Sequence, residues 1–199
     1  MLKIAVATED ILSEVVALRL LAELNGKLIP ELLLRRGGSG YLKTNIRKWC
    51  QLSHTLPVLV LTDLDNTDHP KTLINSWMGK NNHPENLVIH VAVKEIESWL
   101  LADHVAIKKL LGAPKTPKDP DSLADPKLYL LNMATKAPRR IRDELVRPHQ
   151  GGAKQGLGYN SLLTSFVNES WNPERAAQQS PSLAKARLRL LHLSNRLAT

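Results

Sequence analysis

Three short acidic clusters are the residues in this sequence best suited to chemistry: Glu9-Asp10 with Glu14 close behind, Asp63-Leu64-Asp65, and Glu95-Ile96-Glu97. Carboxylates brought together repel, and a folded protein tolerates them mainly where a cation neutralises them. The donors are all oxygen. The single cysteine, Cys50, excludes a disulfide within the chain and a multi-cysteine zinc site, and the seven histidines do not cluster. Oxygen ligands select hard ions, so the expected cofactor is Mg²⁺ or Mn²⁺. Ions held this way bind a scissile phosphate and activate water, which is the chemistry of phosphodiester hydrolysis. No Gly-x-Ser-x-Gly elbow or Cys–His pair offers a covalent route instead. Each cluster taken alone also has a plainer reading: Glu9-Asp10 as a helix cap, Asp63-x-Asp65 as a turn.

For the acids to act together, the surrounding elements must deliver them to one place. Short apolar runs at residues 2–7, 28–34, 57–61 and 87–93 read as strands, with Pro30 putting the second at an edge or bulge. Helical patterns occupy residues 11–24, 71–78 and 95–111. Another, opened by Gly37-Gly38-Ser39-Gly40, runs to about Leu52. This alternation predicts an α/β fold with a mostly parallel four-stranded sheet flanked by helices. Each acidic cluster then follows the carboxyl end of a strand, the edge where open α/β sheets bind ligands.

Beyond residue 111 the pattern changes. Prolines stud residues 112–125, and helices are expected at 127–135, 160–169 and 182–197, with the glycine-rich stretch 151–158 separating the first two. The last puts Leu183, Ala186, Leu190, Leu193 and Leu197 on one face, and Lys185, Arg189 and Arg196 on an outer one. We therefore expect an α/β core at residues 1–111 carrying a helical extension at 112–199, packed as one unit. His90, inside the fourth strand, reads as a satisfied core residue rather than a ligand, and Trp99 as core.

The net charge of +8 sits entirely in the second half. Beyond Asp125, 12 basic residues face only Asp143, Glu144, Glu169 and Glu174. A basic half joined to a balanced one points to a polyanion, nucleic acid first. Arg139, Arg140, Arg142, Arg147 and Lys154, around the glycine-rich stretch, are the expected contacts. Lys43, beside the earlier glycine loop, could hold a further phosphate, although that loop lacks the Gly-Lys-Ser/Thr ending of an ATP site. At 4% aromatics, a stacking platform for single-stranded bases is not expected. The apolar run at the start is too short for a secretory signal, and nothing approaches the ~18 apolar residues of a membrane span, so a cytoplasmic protein is expected.

Glu9-Asp10 followed by Ser13-Glu14 resembles the Glu-Gly…Ser/Thr-Glu opening of Toprim domains, and Asp63-Leu64-Asp65 resembles their Asp-x-Asp motif. Residues 95–103, EIESWLLAD, resemble the signature of a small bacterial Toprim-like family of unknown function. Leu123-Ala124-Asp125-Pro126-Lys127, Gly156-Leu157-Gly158-Tyr159-Asn160, Trp171 and Ser180-Pro181-Ser182-Leu183 extend that resemblance along nearly the whole chain. The chain departs from the Toprim pattern at Asp10, where glycine is usual.

The resemblance implies a Toprim-like, Rossmann-like fold and a Mg²⁺-dependent nuclease acting on DNA or RNA, endonucleolytic rather than exonucleolytic. Glu9, Asp63 and Asp65 would be catalytic, and Glu14, Glu95 and Glu97 would complete the metal ligands. It further implies an ABC-type ATPase partner in anti-phage defence, with relatives among the overcoming-lysogenisation-defect nucleases. The alternative is a non-catalytic docking or regulatory subunit of such an ATPase. A primase-like or nucleotide-handling role is a third.

Overall fold

The structure is a computed structural model describing residues 2–79, 83–112, 115–149 and 152–198. Ala113, Pro114 and Gly151, which fall in the predicted loops, lie outside the described residues. Its four main strands are β1 (Leu2–Thr8), β2 (Leu28–Arg35), β3 (Val58–Asp63) and β4 (Leu87–Ala92). They form one parallel sheet in the order β2-β1-β3-β4. Pro30, which has no amide to donate, sits in edge strand β2 at a register shift, where Ile4 pairs with Pro30 but Ala5 with Leu32.

Period-two alternation sorts the strand side chains to two faces. Ile4, Val6, Leu59 and Leu61 enter the larger core with Leu12, Val16 and Leu20 of α1 (Ile11–Ala22). Ala5, Ala7, Val58 and Val60 enter a smaller one on the opposite face. There they meet Leu42 of α2 (Gly38–Thr44) and Ile46 and Trp49 of α3 (Ile46–Leu52), with α4 (Pro70–Met78) packed alongside. The single helix expected to end near Leu52 is thus two, broken at Asn45, whose side-chain amide donates to the Tyr41 carbonyl at 2.9 Å.

The helix predicted over 95–111 is likewise broken, into α5 (Ile96–Ala102) and α6 (His104–Leu111). Asp103 is the cause. Its fully buried carboxylate caps α6 by accepting from the Ala106 amide (3.2 Å) and takes the Asn172 amide (2.8 Å). It also receives the Arg175 guanidinium bidentately, at 3.0 and 2.7 Å. A paired, fully hydrogen-bonded buried charge outweighs one uninterrupted helical turn.

The remaining chain forms a 3-10 turn (Pro120–Ser122), α7 (Pro126–Ala134), α8 (Arg139–Leu145), β5 (Val146–His149) and β6 (Gly152–Gln155). It continues through α9 (Tyr159–Glu169), α10 (Pro173–Ala177) and α11 (Pro181–Ala198). Where a glycine-rich connection between two helices was expected, there is a helix followed by an antiparallel two-stranded hairpin. Leu130, Leu145, Leu163, Phe166, Trp171, Leu183 and Leu190 join the same cluster as Ile4, Leu59 and Trp99. Trp99 is core as expected, and its Nε1 donates to Ser182 Oγ (2.7 Å) while Trp171 Nε1 donates to the Trp99 carbonyl (3.0 Å).

The outer face of α11 carries Lys185, Arg189 and Arg196, all exposed, as expected. Arg196 bonds Glu85, and Arg187 pairs with Glu23 at 2.9 Å, so part of the basic excess is neutralised internally. One expectation about a neighbour of this helix needs correction. His90 is buried but not satisfied: its Nε2 has no hydrogen-bond partner. Burial, then the charge of Arg189, pushes its pKa down to about 3, which keeps the ring neutral.

Removing the Asp103 carboxylate leaves two amides and a guanidinium without their acceptor. Asp103→Ala should therefore lower the unfolding free energy by about 3 kcal/mol or more, measured by urea denaturation at neutral pH. A loss below 1 kcal/mol would show that solvent replaces the carboxylate.

Candidate functional site

The strand order reverses between β1 and β3, since β1 connects outward to β2 and the chain then returns to place β3 on the other side of β1. Such a reversal leaves a crevice beyond the carboxyl ends, the place where open α/β sheets hold ligands. Glu9 stands at the end of β1 and reaches across this crevice. Its Oε1 accepts from the Thr62 hydroxyl and from the Asp63 amide (3.0 Å). The first acidic cluster is thereby tied to the second.

The Asp63-Leu64-Asp65 segment is fixed by its middle residue. Leu64 is buried, and its amide donates to the carbonyls of Ala92 and Lys94 at 2.9 Å each. The Asp65 amide donates to Lys94 as well (3.1 Å), with Asp65 in the left-handed region at φ +50°. Aspartate is among the few residues found there regularly. These bonds join the end of β3 to the loop after β4, where the Val93–Lys94 peptide is cis and Glu95 and Glu97 follow.

The electrostatics follow from this convergence. Burial raises the pKa of Asp63 well above the usual carboxylate range, and the charges of Glu97, Glu9, Asp65 and Asp10 add to it. Glu9 is raised by burial, against the lowering effect of the Thr62 and Asp63 bonds. Glu97 is raised by burial despite accepting a 2.7 Å hydrogen bond from the Tyr159 hydroxyl. Glu95 is raised by burial, while the Lys127 amide, 3.0 Å away, pulls the other way.

Five of the six predicted acids therefore share one electrostatic environment: Glu9, Asp63, Asp65, Glu95 and Glu97. The sixth does not. Glu14 pairs with Arg35 at 3.2 Å, near the end of β2, and its charge is already matched. Asp10 joins the group electrostatically, but its carboxylate caps α1 by accepting from the Ser13 amide (2.8 Å). Its backbone is extended, φ −143°, so the position accepts a side chain without strain. Among the described residues no group of three or more His, Cys, Asp or Glu side chains is arranged to hold a metal ion.

Two groups from beyond residue 111 complete the site, and the acidic motifs gave no hint of them. Tyr159, at the start of α9, is buried, and Lys127 Nζ lies 5.2 Å from the centre of its ring. Asp125 caps α7 by accepting from the Leu128 amide (2.7 Å) and so presents the Lys127 amide to Glu95. The only signal in the sequence was the pair of segments 123–127 and 156–160, noted for their resemblance and not for any spacing.

The predicted nucleic-acid contacts separate into two regions. Arg139, Arg140 and Arg142 lie on α8, where Arg139 and Arg142 both bond Asp143 (3.4 and 3.2 Å). Arg147 and Lys154 stand directly opposite each other across β5 and β6. Lys43 is on α2, against the other face of the sheet. The α2 loop still touches the site through its backbone, since the Gly38 amide donates to the Glu9 carbonyl at 3.0 Å.

Fold and site together define an open, Rossmann-like α/β protein with an acidic crevice at its strand-order reversal. The chain belongs to the family described as a domain of unknown function, DUF4276, whose model matches residues 7–190. No curated protein and no solved structure matches it.

Raised carboxylate pKa values carry a definite linkage. Their contribution to stability is complete below the ordinary carboxylate pKa and is lost as pH rises through the folded values. In EDTA, Asp63→Asn should therefore melt about 2–4 °C above wild type at pH 8, with the two converging toward pH 4. A melting difference that stays constant with pH would contradict the crowding of Asp63 by other carboxylates.

Proposed function

We propose that this protein is a Toprim-like, Mg²⁺- or Mn²⁺-dependent nuclease acting on DNA or RNA. One observation carries the reading: five carboxylates are gathered at the strand-order reversal, with Glu9 bonded across it to Asp63 and the charge of Lys127 offsetting Glu95 and Glu97 only in part. Stability alone gives no reason to place mutually repelling acids there.

The donors suit the ion. Mg²⁺ keeps most of its waters and takes one or two carboxylates plus substrate phosphates, so a closed protein cage is not needed. Asp63 and Asp65 would hold it, with Glu95 beside them. Bound there, it would neutralise phosphate charge and acidify a water molecule. Glu9, with its raised proton affinity and its carboxylate held by Thr62 and Asp63, suits proton transfer at the scissile phosphate. Tyr159 and the Lys127 amide hold Glu97 and Glu95 in place. Glu14, committed to Arg35, is left out of this ligand set.

The resemblance also supports a cytoplasmic protein working with an ABC-type ATPase in anti-phage defence. Among the described residues no helix is long and apolar enough to cross a membrane. A second reading, a docking subunit of that ATPase without turnover, is favoured by the exposed apolar side chains of Ile29, Leu32 and Leu33 on edge strand β2.

The deciding measurement is cleavage of plasmid DNA, single-stranded DNA and transfer RNA with Mg²⁺ or Mn²⁺, with and without the proposed ABC-type ATPase partner. Wild type should cut, and Asp63→Ala should cut about 100-fold more slowly or less. Both ions should raise the melting temperature of wild type and not of Asp63→Ala. No cutting and no ion-induced stabilisation would leave the docking reading.

A further inference from the structure

The turn that follows the β5–β6 hairpin exposes a leucine two residues before Tyr159, which bonds Glu97 of the acidic crevice. Leu157 is 98% exposed. Among the described residues it is the one large apolar side chain left exposed between Val146 and Gly158. The backbone on either side of it is hydrogen-bonded. The Gly156 amide donates to the Leu145 carbonyl (2.8 Å), and the Gly158 carbonyl accepts from the Leu162 amide (2.8 Å). A Cβ on Gly156 would collide with the Glu144 carbonyl, and one on Gly158 with the Glu144 carboxylate. The two glycines pack against α8, and the residue between them is directed to solvent.

The outer face of the hairpin is basic, although the exposed Glu144 carboxylate lies against Gly158 beside it. Val146 and Ala153 pack toward the core, so the alternate residues, the cross-strand pair Arg147 and Lys154, occupy the outer face. Like charges directly opposite destabilise a hairpin. Both side chains are exposed, and among the described residues neither they nor Arg140 has a carboxylate partner. Such a pair suits an external polyanion. On the other side of Leu157, two residues on and so within about 7 Å between Cα atoms, Tyr159 bonds Glu97 of the crevice.

A lone leucine between glycines is too small to seed a protein interface, which needs a clustered apolar core. It has the size of the apolar wedges that enter a base step and part the stacked pairs. We infer that the β5–β6 hairpin grips the backbone of a duplex through Arg147 and Lys154, and that Leu157 inserts between base pairs beside the carboxylates. This rests on the nuclease reading and narrows its substrate to duplex nucleic acid, opened at the point of attack.

The test uses the full chain in EDTA, which prevents cleavage, with DNA and RNA duplexes carrying 2-aminopurine, and anisotropy to report binding. At saturating wild-type protein the 2-aminopurine fluorescence should rise at least about twofold as the base unstacks. Leu157→Ser, compared at saturation, should give no rise, and Leu157→Met should restore it. Replacing Arg147 and Lys154 together with alanine should weaken binding about tenfold or more and flatten the log–log salt dependence by about 2. The duplex that responds, DNA or RNA, identifies the substrate. Binding with no rise, or with an equal rise in Leu157→Ser, would overturn the wedge alone. Binding to neither duplex would overturn the nucleic-acid reading with it.

Discussion

The constraint on which the rest depends is electrostatic: five carboxylates must be held together at the end of a sheet, with the charge of Lys127 offsetting Glu95 and Glu97 only in part. Three of them are restrained by donors from other parts of the chain. Glu9 accepts from Thr62 and the Asp63 amide, Glu97 from Tyr159, and Glu95 from the Lys127 amide. The first two donors lie at the end of β3, but Tyr159 and Lys127 come from the region expected to be an appendage. That region shares one hydrophobic cluster with the sheet, through Trp99, Trp171, Leu163 and Leu183. Its packing is therefore part of what holds the site, and a truncation after α6 would remove both the cover of the sheet and two of the four restraints. The Asp103–Arg175 pair has the same consequence, because it fixes α5, which carries Glu97, to α10.

The sheet was legible because parallel strands buried on both faces are written as short, continuous apolar runs. VLVL at residues 58–61 and LKIAVA at 2–7 admit few other readings. Pro30 located the edge and its bulge. What was not legible depends on single polar residues whose partners are distant in sequence. Nothing in the run EIESWLLADHVAIKKLL marks Asp103 as a break, since its role rests on Arg175, 72 residues later. The β5–β6 hairpin was hidden by the glycines in and after it, which read as a loop although Gly156 and Gly158 are packing positions against Glu144. Of the site, the acids at three strand ends could be read from order and spacing. The commitment of Glu14 to Arg35, and the parts played by Tyr159 and Lys127, could not, because each is a tertiary contact between elements with no shared periodicity.

In the nuclease reading, the two charged surfaces explain each other. An acidic crevice without a cation repels the phosphates it is meant to cut, and the repulsion is strong where burial lowers the local dielectric. The basic outer face of the hairpin, a few residues from Tyr159, offsets that repulsion without entering the crevice, since Arg147 and Lys154 face away from the core. A divalent cation would act on the same balance from inside, because its charge reduces both the repulsion among the carboxylates and that between them and a phosphate. Linkage then requires that cation and nucleic acid strengthen each other's binding by the same factor. A protein arranged this way would hold duplex through its hairpin in the absence of the cation and more tightly in its presence. On that reading the acids would be a condition on activity as well as a ligand set.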